Sequence, residues 1–225
     1  MNRKIVITED GSSSLFVEDL NEHYHSIHGA IQESKHIFIQ AGLQSETTRN
    51  LDTINILEIG FGTGLNALLT YFSALKTHQN ICYTAIELYP LDMEEVRLLN
   101  YPDFMEYADA NSIFRQLHEA QWEQPKAISN HFSICKHRQS ATEFPYPLLA
   151  FDLVYFDAFA PDVQPELWSE EVFAKIYQSM KSESILVTYS TKGSVKTALK
   201  NVGFLIEKLP GPKGKREILR AKCNK

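Results

Sequence analysis

Apolar and polar positions switch between two periods along this chain. Lys4 to Thr8 alternates as a short strand does, and Glu9-Asp10-Gly11 turns it. Leu15 to Leu20 leads into a polar stretch. Glu33 to Leu43 then has the spacing of a helix that would end at Gly42, with a polar linker from Gln44 to Asp52. Asn55-Ile56-Leu57 is a short apolar run of strand character, after which Leu65, Leu68, Leu69, Phe72 and Leu75 recur at helical spacing. Ile81 to Leu88 predicts a second strand. Helices are expected over Leu91 to Asn100 and Asn111 to Glu119, broken by Tyr101-Pro102-Asp103, and Trp122 to Asn130 reads as an irregular loop. Phe132 to Cys135 is a third strand. Leu153 to Phe156 is near-continuously apolar, as a buried parallel strand should be. Pro165 to Met180 is amphipathic, with Leu167, Trp168, Val172, Phe173, Ile176 and Tyr177 on one face that suits a core. Ser184 to Tyr189 is a fifth strand, Lys192 to Asn201 a helix stopped by Gly203, and Phe204 to Leu209 and Glu217 to Ala221 the last two strands. Strands alternating with helices predict an α/β fold with a mostly parallel, seven-stranded sheet.

The chemistry concentrates at the carboxyl ends of these strands, where open α/β sheets bind ligands. The first core strand runs into Glu58, then Gly60, Gly62 and Gly64 at two-residue spacing, then a helix. Glycines permit the tight turn and a ligand's close approach, and the free N–H groups of the helix favour an anionic or strongly polar ligand group. A nicotinamide dinucleotide turn would read G-x-G-x-x-G, and this one does not. Glu87 ends the second strand, some 20-odd residues past the glycines, where an acid can accept both ribose hydroxyls of an adenosine ligand. Asp157 ends the fourth strand, ahead of the loop Ala158-Phe159-Ala160-Pro161, where a carboxylate can orient a nucleophilic nitrogen and take its proton. A helix cap or turn is the plainer role for such an aspartate. After the third strand, Gln139 and Ser140 are the polar side chains available to an adenine.

Composition adds boundaries. The 225 residues, 44% hydrophobic and 22% charged, suit one ordinary globular domain. No apolar run is long enough to span a membrane, and no signal peptide is visible at the N-terminus. The three cysteines, Cys82, Cys135 and Cys223, are odd in number and far apart, which favours a reducing compartment, by default the cytoplasm. His23, His25, His28 and His36 gather near the N-terminus but fit no standard metal-ligand spacing, so no metal is expected. The net charge of −6 is uneven, because the chain from Lys192 onward carries ten Lys or Arg against two Glu, +8, which leaves −14 for the rest. Its glycine- and proline-rich loop holds Lys213, Lys215 and Arg216 and is suited to phosphates.

Taken together these segments resemble the tRNA aminomethyluridine methyltransferases, namely the methyltransferase half of bifunctional MnmC and its stand-alone form MnmD. The resemblance covers nearly the whole chain. It rests on Tyr24-x-Ser26 and Gln32-Glu33-Ser34, on GFGTGLN from Gly60 to Asn66, and on Glu87 with Tyr89-Pro90-Leu91. It rests also on FDAFAPxxxPELW from Phe156 to Trp168, on Thr188-Tyr189-Ser190, and on the closing GPKGKREIL. Glu58 with the G-x-G-x-G spacing is similar to motif I of class I S-adenosylmethionine methyltransferases, and implies that fold. The resemblance implies methyl transfer to the exocyclic amine of 5-aminomethyl-(2-thio)uridine at a tRNA wobble position. Glu58, Gly60, Gly62, Gly64, Asn66, Glu87, Gln139, Ser140, Asp157 and Ala158 would serve the cofactor. Asp157 would be catalytic, Tyr24 and Phe159 would face the base, and Lys213, Lys215 and Arg216 would hold anticodon-stem phosphates. Residues 1–52 would cover the site of a core spanning residues 53–225. The family's fused FAD-dependent oxidase is not expected here, so a separate oxidase or another route would supply the amine. Rival readings are a methyltransferase of a small amine or a protein, a nicotinamide oxidoreductase, and a non-catalytic module that binds the cofactor and tRNA.

Overall fold

The computed structural model describes residues 1–225. Strands β1 (Arg3–Ile7), β2 (Ser13–Val17) and β3 (Glu22–His23) form a small antiparallel meander. Helix α1 (Ala30–Ser34) follows, continued by a π-helical segment over Lys35–Leu43. The main sheet is built from β4 (Thr53–Ile59), β5 (Asn80–Ile86), β6 (Lys126–Ser129), β7 (Phe132–His137), β8 (Phe151–Phe156), β9 (Met180–Thr188), β10 (Leu205–Pro210) and β11 (Glu217–Lys222). Their spatial order is β10-β11-β9-β8-β4-β5-β7-β6. The five strands from β9 to β7 are mutually parallel, and β6, β11 and β10 add antiparallel pairings at the edges. The chain order reverses between β4 and β8, which opens a crevice at their carboxyl ends.

Alternation along β4 explains the two cores. Ile54 and Ile56 face a layer that includes Leu68 and Phe72 of α2 (Leu65–Thr77), Phe114 of α4 (Ala110–Glu119), and Phe38. Leu57 and Ile59 face the other layer, with Phe173 and Ile176 of α5 (Glu170–Ser179) and Leu199 of α6 (Gly193–Val202). Glu58 points into the first layer, a polar group at an apolar position. Leu15, Ile37 and Leu43 are buried in that same layer, so the first 52 residues share the core of the sheet.

Four expectations change. The sheet has eight strands, because β6 lies within the stretch read as a loop; its KAIS sequence has too little apolar alternation to announce an edge strand. The N-terminal helix starts earlier and runs through Gly42, which does not stop it. A Cβ there would lie 3.1 Å from Val187 and 3.2 Å from Tyr155, so the missing side chain lets this helix approach the sheet. The helix expected from Leu91 shortens to α3 (Met93–Arg97), started by an Asp92–Glu95 capping box, with a 3-10 turn over Tyr101–Phe104 after it. The amphipathic stretch from Pro165 divides into a 3-10 turn, Pro165–Trp168, and α5, at Ser169, whose Oγ accepts the Val172 N–H at 3.3 Å.

Candidate active site

A cavity of about 400 Å³ opens at the crevice between β4 and β8. Gly60 turns the chain out of β4 at φ +90°, and a Cβ there would come within 2.6 Å of the Asp157 carbonyl oxygen. Only glycine suits that conformation and that approach. Gly62 lies under the ring of Tyr24, 3.1 Å from where its Cβ would be, and its N–H donates to Glu87 Oε2 at 2.9 Å. The second Glu87 oxygen accepts the Tyr89 N–H at 2.8 Å, so this acid is held at the cavity wall by two backbone donors. Gly64, at the start of α2, packs against Phe61 and His118 and does not line the cavity.

Asp157 sits at the end of β8, and its N–H extends the sheet to Ile59. The Asn66 amide of α2 donates to Asp157 Oδ2 at 2.9 Å and to Glu58 Oε1 at 3.0 Å. Both its donors are thereby used, and its buried Oδ1 has no partner. Glu58 is fully buried and reaches the cavity only through Asn66; burial above all, reinforced by Asp157, holds its carboxyl well above the usual range. Glu58, expected to contact the cofactor directly, does not line the cavity, and Asn66 stands between the two. Burial also raises the Asp157 carboxyl to about 7, against the opposing effect of Asn66. An acid titrating there exchanges protons readily near neutrality.

Three side chains hold backbone groups of the loop after β8. Tyr189 Oη donates to the Ala158 carbonyl at 2.9 Å, and Trp168 Nε1 to the Phe159 carbonyl at 2.8 Å. Gln164 Oε1 accepts the Phe159 N–H at 3.0 Å. That accounts physically for the spacing from Phe156 to Trp168. Phe159 thereby meets Tyr24 edge to face, with ring centroids 5.0 Å apart, and both line the cavity beside Asp157. Gln139 and Ser140 line it too.

The N-terminal segment and the basic loop meet through Lys213 with Glu9, Lys215 with Glu33 and Gly214 with His28. His25 lies between Ser14 and Thr63, and burial lowers its imidazole to about 4. His36 Nε2 donates to the Pro210 carbonyl at 2.8 Å, His28 packs on Gly214, and His23 meets the Phe16 ring at a tilt. The four histidines thus face four different sets of partners. Lys213 and Arg216 are exposed, with Lys213 paired to Glu9 at 2.7 Å. Lys215 differs. It turns inward, pairs with Glu33 at 2.9 Å and lies over the Tyr189 ring at 5.0 Å. Glu33, Leu88, Tyr89 and Tyr189 line the cavity as well, and sequence reasoning gave none of them a role there. Tyr189 follows a strand end and belongs to one of the segments that carry the resemblance, the two signals that could have marked it.

A sequence profile described as "S-adenosyl-L-methionine-dependent methyltransferase" matches residues 107–224, over half of the chain. The chain belongs to that family. Bifunctional tRNA 5-methylaminomethyl-2-thiouridine biosynthesis proteins named MnmC are similar to it. That of Magnetococcus marinus is 30% identical over 209 residues, covering 88% of this chain and 30% of the relative. That of Burkholderia thailandensis is 27% identical over 230 residues, covering 96% of this chain and 34% of the relative. The chain thus spans about a third of the length of these curated relatives. Among solved structures, MnmC2 from Aquifex aeolicus superposes with a TM-score of 0.78 at 22% identity, over 99% of this chain and 70% of that one. Spermidine synthase from Thermotoga maritima superposes with a TM-score of 0.56 at 15% identity, over 100% of this chain and 74% of that one. These likenesses show the class I methyltransferase fold. The family's methyl donor fits the residues present, because a glycine cradle, an unpartnered buried Asn66 Oδ1 and the Glu87 carboxylate converge on one cavity. No helix is long and apolar enough to cross a membrane.

Proposed function

We propose that this methyltransferase acts on the exocyclic amine of 5-aminomethyl-(2-thio)uridine at the tRNA wobble position, giving the 5-methylaminomethyl form. The observation that carries this is Asp157, a carboxyl titrating at about 7 in a cavity shared by the glycine turn and the Tyr24–Phe159 ring pair. The similarity to proteins named for 5-methylaminomethyl-2-thiouridine biosynthesis supports the choice of amine.

S-Adenosylmethionine, when bound, supplies a methyl group activated on sulfur. Gly60, Gly62, Asn66, Glu87, Gln139, Ser140 and Ala158 would hold it, with Glu87 on the ribose and Glu58 supporting Asn66 from behind. Asp157 accepts a hydrogen bond from the neutral amine and aims its lone pair. As the nitrogen–carbon bond formed and the methyl–sulfur bond broke, with its electron pair left on sulfur, the Asp157 carboxylate would take the proton that the nitrogen sheds. Orientation of this kind supplies about 7–11 kcal/mol of a bimolecular barrier. Phe159 and Tyr24 stack on the extruded base, which must leave its neighbours to enter the cavity. Residues 1–52 serve as the cover that places Tyr24 there. Lys213 and Arg216 face outward to anticodon-stem phosphates, and a separate oxidase is one source of the aminomethyl substrate.

Labelled S-adenosylmethionine and tRNA carrying an unmethylated aminomethyl wobble uridine test this reading. Label in that nucleoside, lost in Asp157→Ala, is the expected result. Label in another amine, with this tRNA inert, would reassign the substrate. Binding of both ligands without turnover in either protein would leave a recognition module.

A further inference from the structure

Lys215 sits in the wrong place for a residue whose task is the RNA backbone. Its neighbours on the loop, Lys213 and Arg216, are exposed, whereas Lys215 is half-buried and lines the same cavity as Asp157. Its Nζ is 2.9 Å from Glu33 Oε1 and 5.0 Å from the centre of the Tyr189 ring. Glu33 is itself buried and fixed from the other side, where its Oε2 accepts the Ser26 N–H at 2.8 Å. Tyr189 is tied to the residue after Asp157 through its hydroxyl. The pair is therefore built into the acceptor wall, anchored on three segments of the chain.

The titratable groups around Asp157 come from several elements: Glu58 from β4, Tyr83 from β5, Glu33 from α1, Tyr189 beyond β9, and Lys215. Lys215 is the one cation among them. Without it the charge left acting on Asp157 is that of Glu33, and like charges so placed favour the protonated acid. A protonated Asp157 takes no proton from an amine. A cation beside the acceptor also disfavours the ammonium form of an incoming amine, which cannot attack.

We infer that Glu33 and Lys215 are positioning residues of the acceptor site, an ion pair whose two charges act in opposite directions on Asp157 so that the amine meets it as a base. This rests on the amine-methylating reading above. It adds that Lys215 works inside the site and leaves the phosphates to Lys213 and Arg216.

The test combines two readouts. One is the carboxyl-carbon NMR titration of Asp157 in the ligand-free protein, its resonance identified by loss in Asp157→Asn. The other is the pH profile of kcat with saturating S-adenosylmethionine and aminomethyl-tRNA. Lys215→Met is expected to move both the titration and the acid limb upward by about one pH unit, roughly a tenfold slower rate on that limb. Glu33→Gln is expected to move both downward, and Lys215→Arg to leave both near the wild type. The tRNA affinity of Lys215→Met should keep the wild-type salt dependence. An unmoved limb, with weaker tRNA binding and a salt slope lower by about 0.7–0.9, would make Lys215 a backbone ligand and overturn the inference. So would equal loss of kcat at every pH in both variants, which is what a merely structural pair predicts. If wild-type protein leaves the wobble nucleoside unlabelled, the substrate reading fails by itself. The NMR shifts then still decide whether the two charges oppose one another at Asp157.

Discussion

Asp157 combines two opposed requirements in one side chain. Its carboxyl is raised from 3.8 to about 7 mainly by burial, so the native protein binds more protons than the unfolded chain between those values. Its contribution to stability is therefore lost as pH rises through that window, and stays lost above about 7. Asp157→Asn keeps the shape and removes the charge. We expect kcat to fall by about 10²–10⁴-fold, the range for a lost general base. We also expect a melting temperature a few degrees above wild type at pH 8, with the gain shrinking towards pH 4. Calorimetry across that range checks the sign; a variant less stable at pH 8 would show that burial does not strain this acid. Asp157 and Glu87 were legible in the sequence because a strand boundary places the next residue at the rim. Glu58 was legible as important but not as hidden. Only the sheet's alternation, which turns it towards Tyr83 and Tyr155, puts Asn66 between it and the cavity. Glu33 and Lys215 were not legible as a pair, since 182 positions separate them and nothing local records their meeting.

At the scale of elements, the site depends on how the loop after β8 is held. Trp168 packs on Phe156 with ring centroids 4.7 Å apart and spends its indole N–H on the Phe159 carbonyl. Trp168→Phe preserves an aromatic ring there and leaves that carbonyl without its donor, at a cost of about 1–3 kcal/mol. The expected signature is a raised KM for tRNA with S-adenosylmethionine affinity within a few-fold of wild type. Equal loss of both would mean that the whole crevice has collapsed. Gly42 gives a second element-scale prediction. If it ended a helix, alanine would suffer from a left-handed backbone; in the structure φ is ordinary there and the crowding comes from Val187 and Tyr155. Gly42→Ala should therefore destabilise by about 1–3 kcal/mol through overpacking, and Val187→Ala in the same chain should recover part of it in a urea-unfolding cycle. Strands and helices were readable where apolar periodicity was strong. β6 and the π-helical segment were not, because an edge strand and a wide helix are settled by their neighbours more than by their own sequence.

Across the whole molecule, charge is distributed so that the acidic body and the basic end meet at the mouth of the cavity. The last part of the chain carries the excess of Lys and Arg, yet half of that +8 is answered by acids of the body: Lys192 by Asp162, Lys213 by Glu9, Lys215 by Glu33 and Lys222 by Glu183. On the proposed reading, a tRNA approaching this face would meet a surface that is already half neutralised. Its phosphates would have to displace Glu9 from Lys213, whereas Arg216 lies exposed beside the Lys215–Tyr189 wall. Exposed pairs like that of Glu9 with Lys213 contribute about 0–1 kcal/mol, so the exchange is inexpensive. Alanine at both Lys213 and Arg216 should reduce the slope of log affinity against log salt by about 1.4–1.8, two phosphates' worth. Glu9→Gln should do the reverse of weakening: with its competitor gone, Lys213 is free for phosphate, and tRNA affinity at low salt should rise a few-fold. Filter binding of aminomethyl-tRNA between about 50 and 200 mM salt reads both effects. A double alanine variant with the wild-type slope would move the RNA to another face. A Glu9→Gln variant that binds more weakly would show that the Glu9–Lys213 pair shapes the loop for RNA, with its negative charge serving the complex as well as the free protein.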